Sequence, residues 1–273
     1  MKLFHTLKTG TGLMALAALI FLMAFNLGGC SEADHTPTTA DEVQAPHLPA
    51  TEQMEFDFSF FDPADQLDKS SGEYDNFINA YLRTVILDVM ARLVLAAPVE
   101  AFSSAINTVP TAQPDGSWRW NYDWQIAGDR VGIVLVGTPA ADVVQWQLSL
   151  VPHGSTEQYL WFSGTTSDNG EEGHWVFQDL DQDDFPVSAE IVWGNGSDGR
   201  FLEFISREAD SDGDRLAFYD NDPQFRIEFT LGTGGDSSFI QWHADGTGSL
   251  RVPDYYDGAQ ACWDIYQQNV DCQ

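Results

Sequence analysis

The chain has 273 residues, with 42 acidic against 12 basic side chains and a formal charge of −30. A field of that sign repels nucleic acid and anionic lipid headgroups, which excludes both as partners. The length suits one folded domain behind an N-terminal extension.

The chain opens on Lys2 and Lys8, followed by an apolar run from Leu13 to Phe25. That run is shorter than the roughly 20 residues of a membrane-spanning helix, and small residues follow it, so residues 1–29 are expected to be a signal peptide. The run ends Leu27-Gly28-Gly29-Cys30, which resembles the lipobox of bacterial lipoproteins. The resemblance covers only these first residues. It implies cleavage before Cys30, a diacylglyceryl thioether on that cysteine and an acylated amino group, palmitate being typical of such chains. Two or three acyl chains then hold the protein stably on a membrane. Ser31, in place of an aspartate, favours the outer membrane of the cell envelope. The alternative is an ordinary secreted protein whose Cys30 lies near the cut by chance. Without residues 1–29 the chain carries 10 basic and 42 acidic residues, a charge of −32, and Lys69 is its single lysine. This resembles the acidic, lysine-poor surfaces of halophilic proteins, where salt screens self-repulsion. Divalent-cation binding is the competing explanation.

Residues 30–53 read as a flexible tether, polar and broken by Pro37, Pro46 and Pro49. The folded domain is expected over 54–273. Met54, Phe56, Phe58 and Phe60 alternate, which predicts a first strand or an apolar clasp. Ser70 and Glu73 have the spacing of a capping box and predict a helix over about residues 73–97. Its apolar face is expected to include Phe77, Ile78, Tyr81, Val85, Ile86 and Val89. Pro98 should end or kink it, with a second short helix from Val99 to Asn107.

From Gly116 to Val252 the apolar period becomes two. Trp118, Trp120, Tyr122 and Trp124 share one face, as do Val144, Trp146, Leu148 and Leu150, and Phe225, Ile227 and Phe229. Asp-, Asn- and Gly-rich turns separate the runs. About ten strands are expected, and the chain is read as mainly β: an antiparallel meander forming a curved half-barrel or barrel, packed with one N-terminal helix. A β-sandwich is the alternative. A membrane-spanning barrel would place its apolar residues outward and needs no lipid anchor.

Motifs for catalysis are absent: no His-Glu-x-x-His, no Gly-x-Ser-x-Gly, no phosphate-cradling loop with lysine. His153, His174 and His243 are far apart in sequence. Asp179, Asp181 and Asp183, and again Asp210, Asp212 and Asp214, alternate as calcium ligands do, but neither run has glycine at the sixth position. Both sit where hairpin turns are expected, so the acids are read first as turn formers and second as calcium candidates. Calcium is the one cofactor the pattern raises. The nine tryptophans, all after residue 117, either fill the core or wall a ligand cavity. With Cys30 lipidated, Cys262 and Cys272 remain as a disulfide pair that pins the C-terminus, contributing about 2–3 kcal/mol.

These features lead to an expectation of a membrane-anchored, extracytoplasmic, non-catalytic lipoprotein that acts as a scaffold or holds a ligand. One form of it resembles outer-membrane lipoprotein carriers, curved sheets closed over by helices around acyl chains. The alternative is a surface lipoprotein that binds or hydrolyses glycans with two carboxylates.

Overall fold

The computed structural model describes residues 44–49, 51–54, 57–61, 72–126, 129–197, 199–231 and 237–272. The signal segment, Cys30, Lys69 and Ser70 lie outside the described residues.

The fold is one antiparallel meander of fourteen strands in sequence order: β1 (Thr111–Ala112), β2 (Trp118–Ile126), β3 (Asp129–Ala140), β4 (Val143–Pro152), β5 (Tyr159–Ser167), β6 (Gly173–Gln178), β7 (Val187–Gly196), β8 (Gly199–Ser206), β9 (Arg215–Asn221), β10 (Gln224–Thr230), β11 (Ser238–His243), β12 (Gly248–Arg251), β13 (Ala261–Trp263) and β14 (Asn269–Val270). The expected count of ten falls short because β1, β13 and β14 have only two or three residues, too few to show a period. The sheet does not close. β1 and β14 are its two edges and do not pair with each other, and a single sheet leaves no second layer for a sandwich.

Among the described residues one α-helix, α1 (Asp75–Ile106), crosses from one end of the sheet to the other. Near its start, the Asn76 side chain donates to the Cys262 carbonyl at 2.7 Å, and its backbone N–H donates to Asn269 Oδ1 at 2.9 Å. Near its end, the Tyr122 hydroxyl donates to the Ala101 carbonyl at 2.8 Å and Trp124 Nε1 to Ser104 Oγ at 3.3 Å. Fourteen strands side by side span about 60 Å, whereas α1 is about 48 Å long. A sheet whose two ends both meet that helix therefore bows around it.

α1 continues through Pro98, where the expectation was that the helix ends or kinks. Proline removes one helical hydrogen bond, but Ala101, Phe102 and Ala105 beyond it are completely buried, and that packing holds the last turns helical. The buried face is also rotated from the expected one. Phe77, Ala80, Thr84, Leu87, Ala91 and Leu95 point inward, while Leu82, Val85, Ile86 and Val89 are 39–60% exposed. The helix is apolar on nearly every side, so period alone does not select a face. A 3-10 turn at Gly72–Tyr74 leads into the helix, with Asp75 in its first turn complementing the dipole; the Ser70 of the expected capping box lies outside the described residues.

Among the described residues before α1 there is no strand; Phe56 of the expected alternation lies outside them. Two 3-10 turns, Thr51–Met54 and Ser59–Phe61, drive Met54, Phe58 and Phe61 into the interior. Ala45 and Leu48 also pack on the core, so ordered contact with the sheet begins before residue 54, inside the expected tether.

The interior has two aromatic clusters. The first joins Leu95, Ala101 and Phe102 to strands β2–β8, with Trp120, Trp146, Trp175 and Trp193 at its centre. The second joins Phe77, Leu87 and Ala91 to strands β9–β13, with Phe58, Phe61, Trp242 and Trp263. Glycines make room for the indoles. A Cβ on Gly137 would lie 2.7 Å from Trp146 Cζ3, one on Gly164 2.7 Å from Trp175 Cε3, and Cβ atoms on Gly173 and Gly248 would overlap the rings of Trp193 and Trp263. Each pair is in direct register across neighbouring strands. The indole N–H groups are satisfied: Trp146 donates to Thr166 Oγ1 at 2.9 Å, Trp193 to the Gly170 carbonyl at 3.3 Å and Trp263 to the Gly246 carbonyl at 3.1 Å.

Candidate functional site

Between the two clusters the middle of α1 stands away from the facing strands and leaves a cavity of about 470 Å³. Ligand pockets run from about 300 to 1,000 Å³. Leu87, Ala91 and Leu95 form its helical wall, and Trp161, Phe177, Ala189, Phe204, Leu216 and Phe229, one each from β5 to β10, form the opposite wall. The period-two pattern accounts for Phe177, Ala189, Phe204, Leu216 and Phe229, which lie on the inward side of β6 to β10, whereas Trp161 sits at the irregularity of the β4–β5 pairing, between Phe162 and Leu160. The helical wall has the spacing i, i+4 and i+8, which keeps its three residues on one side of the helix. Leu231, 56% exposed, also lines the space, so the cavity reaches the surface there.

The rim is polar. Ser206 ends β8, and its hydroxyl lies 2.7 Å from that of Ser211 while accepting the Glu208 N–H at 3.3 Å. These bonds tie the β8–β9 turn into a fixed lip with Glu208 and Asp214 on it. Arg215 also lines the cavity, but its guanidinium bonds to Glu203, to Glu228 at 3.3 Å and to the Tyr219 hydroxyl at 2.7 Å. Burial works against its charge, but the bond to Glu203 and the other partners raise its pKa above the ordinary arginine value.

A second, polar cleft of about 540 Å³ lies alongside, lined by Asp179, Gln182, Ser188, Glu190, Arg207, Glu208 and Asp212 among others. Glu190 is its hub. Arg207 Nε donates to Glu190 Oε1 at 2.7 Å and His174 Nε2 sits 3.0 Å from Glu190 Oε2. The Arg207 bond first, and the His174 contact second, hold the Glu190 carboxyl below the usual glutamate range against a burial effect that pushes it up. Arg207 also lies 3.6 Å from Asp212. His174 therefore serves an ion network; among the described residues no hydrogen bond joins it to a hydroxyl or thiol nucleophile.

The other sequence candidates have plain positions. Asp179 Oδ1 accepts the Asp181 N–H at 2.9 Å and its Oδ2 accepts Gln182 Nε2 at 2.7 Å, which makes it a turn former. Asp181, Asp183 and Asp210 are exposed, Asp212 faces Arg207, and Asp214 Oδ-bearing chain lies at the cavity rim. Among the described residues no group of three His, Cys, Asp or Glu side chains is placed to hold a metal ion. The same turn chemistry recurs elsewhere: Asp115 and Asp245 each accept the backbone N–H and the hydroxyl of Ser117 and Thr247 two residues on. Those bonds keep both carboxyls below the ordinary aspartate range.

Seven of the nine tryptophans are buried, which makes them core; Trp118 and Trp161 are half-buried, and of these Trp161 faces the cavity. Cys262 and Cys272 are bonded, with Cα atoms 5.3 Å apart. Sequence reasoning missed the cavity wall. The alternating apolar runs carried its residues, but nothing local marks where two packed clusters leave space between them. No family model, curated protein or solved structure matches this chain.

Proposed function

We propose that this chain is an extracytoplasmic lipoprotein, anchored through Cys30 to the outer membrane, whose bowed half-barrel sheet and helix hold an apolar ligand. The observation that carries the reading is the cavity between α1 and β5–β10: ten of its lining residues are Leu, Ala, Trp or Phe. An apolar ligand there removes hydrocarbon surface from water at about 25 cal/mol per Å². The glycan reading finds less support, since most indoles are spent on core packing.

The test uses a neutral apolar fluorophore, N-phenyl-1-naphthylamine, with the purified chain. Saturable enhancement is expected, lost in Ala91→Trp, whose indole fills the space, while circular dichroism stays unchanged. Enhancement that is absent, or equal in that variant, rejects the cavity as a site. The anchor is tested separately: Cys30→Ser should abolish incorporation of labelled palmitate, and equal labelling would reject it.

A further inference from the structure

We infer that the apolar cavity and the polar cleft form one continuous site for a single-chain amphiphile with a cationic head. This rests on the cavity being a ligand site and adds the class of ligand.

The two spaces share Ser188, on β7, and Glu208, in the β8–β9 turn. An apolar chain lying against Leu87, Ala91 and Leu95 therefore leads past Ser188 and Glu208 into a chamber of opposite character. Pure hydrocarbon would leave that chamber to water; an amphiphile uses both parts.

The charge of the head follows from the walls. Asp179, Glu190, Glu208 and Asp212 line the cleft, with Arg207 the cation among its lining residues. Arg207 is already engaged by Glu190 at 2.7 Å and Asp212 at 3.6 Å. An anionic head, carboxylate or phosphate, would have to displace those carboxylates and then face Glu208 and Asp179. Like charges so placed repel and weaken binding. A cationic head meets Glu208, which forms no ion pair among the described residues, at the point where the two spaces join.

The experiment is displacement of the bound fluorophore from the full chain by four twelve-carbon compounds below their micelle concentrations: dodecyltrimethylammonium, dodecyl maltoside, dodecanoate and dodecanol. The cation is expected to bind at least about tenfold more tightly than dodecanoate. Glu208→Lys should erase that preference. Asp271→Lys, on the C-terminal disulfide loop, makes the same change in net charge away from the cleft and should keep the preference. Dodecanoate binding as tightly as the cation to the native chain overturns the inference and leaves the cavity reading intact. Loss of preference in both variants overturns it too, because net charge then explains the selectivity. Failure of all four compounds, dodecanol included, overturns the cavity reading itself.

Discussion

The two halves of the interior are built on different terms. Around β2–β5 the strands are nine to twelve residues long, and each carries enough alternating apolar positions to set its own register. Trp146 over Gly137 and Trp175 over Gly164 then lock neighbours together within one hairpin step. Around β11–β14 the strands shrink to six, four, three and two residues. There the register is held by distant groups: Asn76 from the start of α1, whose Oδ1 accepts the Tyr255 hydroxyl at 2.7 Å, and the Cys262–Cys272 bond. Long strands are stabilised by sequence-local pairing, short ones by links that return from far along the chain. The cavity lies where the two kinds of packing meet.

Removing one indole from each half tests whether they are one unit. Trp175→Ala and Trp242→Ala should each cost about 3–5 kcal/mol. Because α1 passes through both clusters, calorimetry should show a single transition in each variant; two resolved transitions would make the halves independent. Reducing the disulfide should cost about 3 kcal/mol, and hydrogen exchange should then accelerate in β12–β14 while β2–β5 stay protected. Uniform acceleration would contradict the contrast between short and long strands.

Smaller changes sharpen it further. Gly137→Ala forces a methyl group against Trp146 and should cost about 1–3 kcal/mol. Gly194→Ala, whose Cβ would meet the flexible Glu172 side chain at 3.2 Å, should be much milder by chemical denaturation. Equal losses would show that backbone freedom, and not indole packing, sets the cost. The smallest effect concerns Glu190. Its carboxyl titrates below the ordinary range, so its stabilisation is present above the unfolded-state value and is lost as pH falls through the folded one. Glu190→Gln should therefore lower the melting temperature by about 1 °C at neutral pH, and the gap should close below the ordinary glutamate range. A gap that persists in acid would place the effect in packing.

The sequence by itself determined the strands, because alternation at Trp118–Trp124, Val144–Leu150 and Phe225–Phe229 is a property of adjacent residues. It also determined the acidic turns, where Asp115 and Asp245 bond two residues away, and the Cys262–Cys272 pair, separated by ten positions. Only the tertiary structure decided which side of α1 turns inward, since Leu82, Val85, Ile86 and Val89 are as apolar as the residues that are buried. It alone decided that the sheet stays open, that α1 continues through Pro98, and that Trp161 meets a cavity while Trp146 and Trp175 meet glycines. Those outcomes depend on contacts such as Asn76 with Cys262, 186 residues apart. At such separations hydrophobic period says that a side chain is buried, but not against what, and the space left between two well-packed clusters has no residue of its own to announce it.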